Sequence, residues 1–386
     1  MKKTLYRTVS LLLVFIFAFA SCPYAATTAG AVSADELTAS AAILVEATTG
    51  KVLFEKNSHE VRPCASITKL MTLLLVFEAI ESGKIKYEDT VVASAHAAGM
   101  GGSDIWLKEG EKMSVYDMIK ATTVASANDA ATALAEYISG TEDAFVVQMN
   151  GKAKQLGMND TVFKNCNGLD EDGHVTSAYD VALMSREIMK HEKIFEFTSI
   201  WLDYLRDGAT QIVNTNKLLK TYKGITGLKT GTTNKAGACI SASAERNGLS
   251  LVAVILNAKS GKERFTDAQK LLDYGFAEYT MLTPDVPEEA TAPLEVSGGM
   301  EKLVFTKTNV NKCLLVKKGE EKKVTSEIIY DEEIKAPINE GMQVGMLSFK
   351  IGDEVIAEYP ITAVNGIEEI NFKAVLHVII ECFFKL

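Results

Sequence analysis

Positive charge is scarce in this chain. Forty Lys and Arg face fifty Asp and Glu, a formal net charge of −10. That excludes nucleic acid as a partner, because phosphate binding needs concentrated positive charge. Cysteine is also sparse. Cys22, Cys64, Cys166, Cys239, Cys313 and Cys382 are scattered, with no C-x-x-C pair and no dense framework. A chain of this size needs no disulfide staples, so most of these thiols are expected as small buried hydrophobes. The five histidines, His59, His96, His174, His191 and His377, lie far apart. No pair has metal-ligand spacing, so no metal site and no cofactor is expected, and solvent-facing or hydrogen-bonded rings are the default. His174 falls in a loop, "NGLDEDGHVTSAYD". No G-x-S-x-G elbow is present, which removes support for an α/β-hydrolase triad. There is no convincing internal repeat.

What is present begins with a globular composition, 47% hydrophobic and 23% charged, which argues against wholesale disorder. At 386 residues there is room for one large domain and a smaller one. The N-terminus has a basic n-region (Lys2, Lys3, Arg7), an apolar h-region (Leu11 to Ala20) and small residues leading to "VSA" at Val32–Ala34. It reads as a secretory signal peptide over residues 1–34, with an apolar run too short to span a bilayer. Its loss removes three positive charges and leaves the mature chain more acidic still. Cuts after Ala25 or Ala26 are alternatives, and lipidation of Cys22 is the minority reading because Phe19 and Pro23 flank it poorly.

Two β-rich runs, Ala42 to Glu46 and Val52 to Glu55, flank a "TTG" turn and read as a hairpin. A helix follows from about Ser66 to Glu81. Helical patterns then cover 114–125, 128–139, 141–157 and 176–189, the last opening on a capping residue. Strand signals return at "GITGLKTGTT" and at a hairpin around Arg246–Gly248, and a closing helix covers 263–279. Strands bracket a helical middle, so an antiparallel sheet with a helical lobe is expected rather than βαβ alternation. Residues 35–282 form this catalytic unit, and 283–293, rich in Pro and acids, is a linker. Short β runs with Gly turns make a small all-β domain over 294–365. The segment 370–386 places Lys373, His377, Glu381 and Lys385 on one narrow stripe of an otherwise apolar helix. It suits a helix lying in a membrane interface; docking on the protein's own core is the alternative.

Chemistry enters at "CASITKL". Ser66 and Lys69 are three apart, on one helix face, so the lysine can reach the hydroxyl. A serine at a helix start also offers an unpaired N–H for a developing oxyanion. A lysine at the edge of an apolar helix is costly to keep charged, and a neutral lysine can act as base for a serine. Taken alone, the pair reads as a capping serine with a snorkelling lysine. Two further motifs change that reading: Ser126-Ala127-Asn128 in "VASANDAA", and Lys229-Thr230-Gly231 in "GLKTGTT". S-x-x-K, S-x-N and K-T-G in this order form the signature of serine β-lactamases and penicillin-binding proteins.

The sequence resembles the low-molecular-mass penicillin-binding proteins, the serine-type D-alanyl-D-alanine carboxypeptidases of peptidase family S11. The likeness runs over nearly the whole mature chain, in "EATTGKVLFEKN", "ASITKLMT", "GGSDIWLKEGEKMSVYDMI", "VASANDAA", "NTNKLL", "GLKTGTT" and "AGACISASAERNG". It implies an α+β fold: a transpeptidase-like domain, a β-rich domain and an amphipathic C-terminal helix. It implies that Ser66 attacks the D-Ala-D-Ala carbonyl of a peptidoglycan stem peptide, that Lys69 takes its proton, and that Ser126 relays a proton to the leaving amine. Asn128 would hold the substrate amide and order Lys69. Lys229 would sit near the substrate carboxylate and depress the Lys69 pKa, while Thr230 and Thr232 contact that carboxylate. Gly231 would allow close approach, and the N–H groups of Ser66 and Thr232 would form the oxyanion hole. β-Lactams would acylate the same serine. The enzyme would be exported and bound to the outer face of the cytoplasmic membrane. A DD-endopeptidase, a weak β-lactamase and a non-catalytic penicillin-binding sensor are the alternatives. Ser-Ala-Asn in place of Ser-Asp-Asn, and the absence of an E-x-x-L-N segment, lean away from class A β-lactamases. Cys64, two residues before Ser66, departs from the family pattern.

Overall fold

A computed structural model describes residues 32–310 and 313–384. Residues 1–31, where the signal peptide is expected, with Cys22, and Lys385 of the C-terminal stripe lie outside the described residues.

Five antiparallel strands form the central sheet, in the order Val52–Lys56, Ala41–Glu46, Leu249–Ala258, Gly237–Arg246, Ile225–Thr233. The sequence explains why it is buried on both faces. Along Ala41–Glu46, Ile43 and Val45 join one core, while Ala42 and Leu44 join another. Val252, Val254 and Leu256 face the first core, whereas Leu251, Ala253 and Ile255 face the second. Alternation of period two sends successive side chains to opposite faces. An unbroken apolar run such as "LVAVIL" therefore marks a strand covered on both sides. The hairpin joining Gly237–Arg246 to Leu249–Ala258 turns at Asn247 and Gly248, with φ of 52° and 77°. Both residues are left-handed, as the turn that fits strand twist requires.

The helical lobe covers one face. Its central post is Lys69–Glu81. Leu70, Met71, Leu73, Leu74, Val76 and Phe77 are all buried, so apolar residues surround this helix, the pattern of a helix inside a core. Around it pack the helices Asn128–Ser139, Glu142–Gln155 and Ala178–Met189. The last is capped by Ser177, whose hydroxyl accepts from the Asp180 N–H. The helix Glu263–Glu278 covers the opposite face of the sheet.

Three features differ from the sequence-based expectation. The helix expected from Ser66 starts as a 3-10 turn, Ala65–Thr68, and becomes α-helical at Lys69. The helix expected over 114–125 is α-helical over Val115–Lys120 and widens to a π turn at Ala121–Ala125. Leu314–Lys317 falls within the expected β-rich domain, yet it pairs with Tyr279–Leu282, directly after the closing helix. Alternation accounts for this position, because Leu314 and Val316 enter the β-rich core while Leu315 enters the second core of the central sheet.

A four-stranded antiparallel sheet forms the β-rich part, in the order Thr306–Thr308, Glu354–Ala363, Gln343–Ile351, Val324–Tyr330. Ala290, in the stretch expected as a linker, is fully buried in its core. The chain continues into the helix Phe372–Phe384, where Phe372, Val375, Leu376, Ile379, Ile380, Phe383 and Phe384 are all exposed. Among the described residues no helix is long and apolar enough to cross a membrane.

Phe77 ties the post to its neighbours. Its ring stacks on His191 at 5.9 Å and meets Phe197 edge-on at 6.2 Å. Phe77→Ala is expected to lower the unfolding free energy by about 3–5 kcal/mol, the usual result of deleting a buried ring. Denaturant unfolding measures this, and a loss below about 1 kcal/mol would contradict the packing described here.

Candidate active site

Ser66 lies at the centre of the 3-10 turn Ala65–Thr68. Ala65 before it takes a left-handed φ of 51°, which turns the chain sharply before the helix begins. Two glycines clasp the turn. A Cβ on Gly231 would stand 2.6 Å from the Cys64 carbonyl oxygen and 3.0 Å from the Ser66 nitrogen. A Cβ on Gly168 would stand 2.0 Å from the Ala65 oxygen and 2.9 Å from the Ser66 nitrogen. The edge strand Ile225–Thr233 on one side and the loop after Cys166 on the other can approach only because both positions lack a side chain.

Lys69 has no exposed surface. Its Nζ is 3.1 Å from Ser66 Oγ, 2.6 Å from Asn128 Oδ1 and 2.6 Å from the Asn167 carbonyl oxygen. The amide of Asn128 cannot be reversed, because its Nδ2 donates to the Gly101 carbonyl at 2.6 Å, a group that only accepts. Burial lowers the Lys69 pKa from its ordinary value to about 7, against the pull of Cys166, Asp104 and Asp129, which favour the charged form. A neutral amine has two N–H groups and one lone pair. Asn128 Oδ1 and the Asn167 oxygen take the two N–H groups, and the lone pair is left facing the Ser66 hydroxyl.

Ser126 sits at a left-handed position, φ 60° and ψ 30°, between the π turn and the helix Asn128–Ser139. Its Oγ accepts from Lys229 Nζ at 2.8 Å. Lys229 also donates to the Thr230 carbonyl at 3.1 Å. It is fully enclosed, and its pKa falls well below the ordinary value, first through burial and then through repulsion by Lys69 and Arg264. Like-charge repulsion thus acts on Lys229, while Lys69 responds chiefly to burial. Thr230 Oγ1 meets Thr215 Oγ1 at 2.6 Å. Thr232 Oγ1 accepts from Arg264 Nη1 at 2.8 Å, and the same Nη1 donates to the Gly231 carbonyl at 3.0 Å.

All eight residues singled out from the sequence thus line one region. Ser66, Lys69 and Asn128 touch as one group, Ser126 and Lys229 as a second, and Thr230, Gly231 and Thr232 follow on the edge strand. Sequence reasoning missed four participants: the Asn167 carbonyl, Gly168, Thr215 and Arg264. "NTNKLL" contains Thr215, and "NGLDEDGHVTSAYD" opens on Asn167 and Gly168, but nothing in either segment marks those residues for these roles. Nothing local marks Arg264, which comes from the closing helix.

Behind the turn lies His174. Its Nδ1 accepts from the Lys164 N–H at 3.1 Å, so Nε2 carries the proton and donates to Thr68 Oγ1 at 2.8 Å. Burial lowers its pKa to about 4 and keeps the ring neutral. Cys64 is buried with its Sγ 3.5 Å from Thr68 Oγ1, and burial pushes its thiol up to about 11. The protonated thiol is a packing group, as expected of most cysteines here. Cys166 and Cys239 are likewise buried, while Cys313 is exposed.

Gly168→Ala tests the clasp. The added Cβ meets backbone rather than a movable side chain, and φ is +86°. A loss of about 2 kcal/mol or more in unfolding free energy is expected, read from denaturant titration. A neutral result would show that the loop after Cys166 stands clear of Ser66.

Comparison with known proteins agrees with this geometry. Residues 28–260 match the peptidase S11 family, D-alanyl-D-alanine carboxypeptidase, and residues 288–369 match the penicillin-binding protein 5 C-terminal domain. The D-alanyl-D-alanine carboxypeptidase DacF of Bacillus subtilis is 44% identical over 338 residues, 86% of this chain and 87% of that protein. The structure of penicillin-binding protein 5 from Haemophilus influenzae superposes with a TM-score of 0.78 at 27% identity, covering 88% of this chain and all of that one. Penicillin-binding protein D2 from Listeria monocytogenes, in its ampicillin-bound form, is 34% identical with a TM-score of 0.58 over 62% of this chain and 98% of that one. With these matches added to a lysine-served serine on a penicillin-binding fold, the chain belongs to the S11 family of D-alanyl-D-alanine carboxypeptidases and is a serine-type hydrolase.

Proposed function

We propose that Ser66 is the acylated nucleophile of a DD-carboxypeptidase that removes the terminal D-alanine from peptidoglycan stem pentapeptides. The observation that carries this reading is the buried Lys69, near half-neutral at pH 7, with Ser66 Oγ 3.1 Å from its Nζ. Lys69 removes the Ser66 proton as Oγ bonds to the carbonyl carbon of the penultimate D-alanine. The oxyanion is held by the N–H groups of Ser66 and Thr232. On collapse, the C–N bond breaks and Ser126 passes a proton to the departing D-alanine amine. Water then hydrolyses the ester and restores the Ser66 hydroxyl. Asn128 holds the substrate amide, and Gly231 lets substrate lie close along the edge strand. Lys229, Thr230 and Thr232 receive the terminal carboxylate, and Arg264 adds charge beside Thr232. β-Lactams acylate the same serine.

In this reading residues 1–34 are a signal peptide, 35–282 the catalytic unit, 283–293 a linker and 294–365 a β-rich domain. The segment 370–386 anchors the exported enzyme on the outer face of the cytoplasmic membrane. The wide exposed apolar surface of Phe372–Phe384 supports that last role.

Product analysis tests the reaction. Incubation with a stem pentapeptide is expected to release free D-alanine, and Ser66→Ala to lower that rate by about 10³-fold or more. Cleavage of a cross-linked dimer without release from the pentapeptide would instead identify an endopeptidase. Removing residues 370–386 is expected to move the active enzyme from the membrane to the soluble fraction. Continued sedimentation with membranes would transfer the anchor to the N-terminal segment.

A further inference from the structure

The segment "MGGSDIWL", Met100 to Leu107, walls the site on the Asn128 side. The Gly101 carbonyl accepts from Asn128 Nδ2, and the Ser103 carbonyl accepts from the Asn128 N–H, both at 2.6 Å. Two residues further on, the N–H groups of Ile105 and Leu107 donate to the buried carboxylate of Asp129, at 3.1 and 2.9 Å. Ile105 and Leu107 are themselves buried. Trp106 stands between these two anchors, and its environment is the reverse of theirs. It is 79% exposed, and its backbone is left-handed with φ of 55°.

That conformation is unfavourable for a bulky L side chain. Burial returns little, since most of the indole remains in water. The anchored neighbours fix it there, so an aromatic face is presented ready-made beside the cleft. Trp and Tyr in such positions are characteristic of binding contacts, because they give a large rigid face with little entropy to lose. The exposed Gly101, Gly102 and Ser103 next to it offer backbone and hydroxyl hydrogen-bonding groups. A flat apolar face beside neutral polar groups fits a pyranose ring, which has a C–H face and a rim of hydroxyls.

We propose that Trp106 stacks on a sugar of the glycan strand bearing the stem peptide, so that strand-linked peptide is preferred over free peptide. The proposal rests on the carboxypeptidase reading of the same cleft.

Two measurements test it. The first compares kcat/KM for free pentapeptide and for pentapeptide carried on glycan strands, in the full chain and in Trp106→Ala. The ratio of strand-linked to free substrate is expected to fall about tenfold, through KM, as an aromatic contact of about 1.4 kcal/mol implies. Trp106→Phe is expected to keep part of the preference. An unchanged ratio overturns the proposal, whether both rates fall together or neither moves. Failure of the unaltered chain to release D-alanine from free pentapeptide would overturn the carboxypeptidase reading instead. The second uses Trp201→Phe, which leaves Trp106 as the sole tryptophan of the two in the chain. Titration with peptide-free disaccharide of N-acetylglucosamine and N-acetylmuramic acid is expected to shift the indole emission to shorter wavelength. An emission unchanged up to millimolar sugar would contradict the stacking.

Discussion

A single buried amine organises this molecule. Lys69 has no exposed surface, and three oxygen atoms surround its Nζ. An ammonium in that position loses its hydration, so the neutral form gains ground and the pKa falls to about 7. Each of the three contacts comes from a different part of the chain. Ser66 arrives on the preceding turn, Asn128 from the start of a helix, and the Asn167 carbonyl from a loop nearly a hundred residues away. Everything that holds these three still serves the lysine. The apolar post fixes Lys69 and Ser66, Gly101 and Ser103 fix Asn128, and Gly168 lets the Asn167 loop close against the turn.

The sheet carries the other half of the site. Alternation on Leu249–Ala258 and Ala41–Glu46 buries both faces, and the candidate site residues lie on an edge strand, Ile225–Thr233. Lys229 points from that strand to Ser126, and Gly231 brings the strand against the Ser66 turn. Two lysines thus approach the same serine-bearing region from opposite walls. Their mutual repulsion deepens the fall in the Lys229 pKa that burial begins. A charged substrate carboxylate entering beside Lys229 and Arg264 would relieve that repulsion, in accord with the proposed role of this end of the cleft.

Much of this was legible in the sequence, for a physical reason. Ser66, Lys69, Ser126, Asn128, Lys229, Thr230 and Thr232 present side chains at short fixed spacings, and Gly231 comes with the K-T-G motif, so composition and order identify them. Asn167 contributes a backbone carbonyl, which any residue could supply. Gly168 matters for a side chain it lacks, against a surface that only the folded chain brings near. Arg264 reaches the site from a helix whose pattern signals only packing. The strands of the central sheet were readable from their apolar runs and the Asn247–Gly248 turn. The small hairpin Leu202–Leu205 with Thr210–Val213 was not identified, although Asp207–Gly208 is a hairpin signal. Leu314–Lys317 was recognisable as a strand but not by its partner, because alternation fixes which faces are apolar and leaves open which edge it joins. Cys64, the residue that departs from the family pattern, proves to be a buried neighbour of Thr68 with a protonated thiol.

The account depends most on Lys69 being neutral near physiological pH. An NMR titration of the lysine side chains, labelled with carbon-13 at Cε and with Lys69 assigned through Lys69→Arg, measures this directly. The account predicts one resonance titrating with a midpoint near 7, the value that burial imposes, so that the amine is mostly charged at pH 6 and mostly neutral at pH 8. A Lys69 resonance that stays in its charged position until pH 10, as an exposed lysine does, would contradict it.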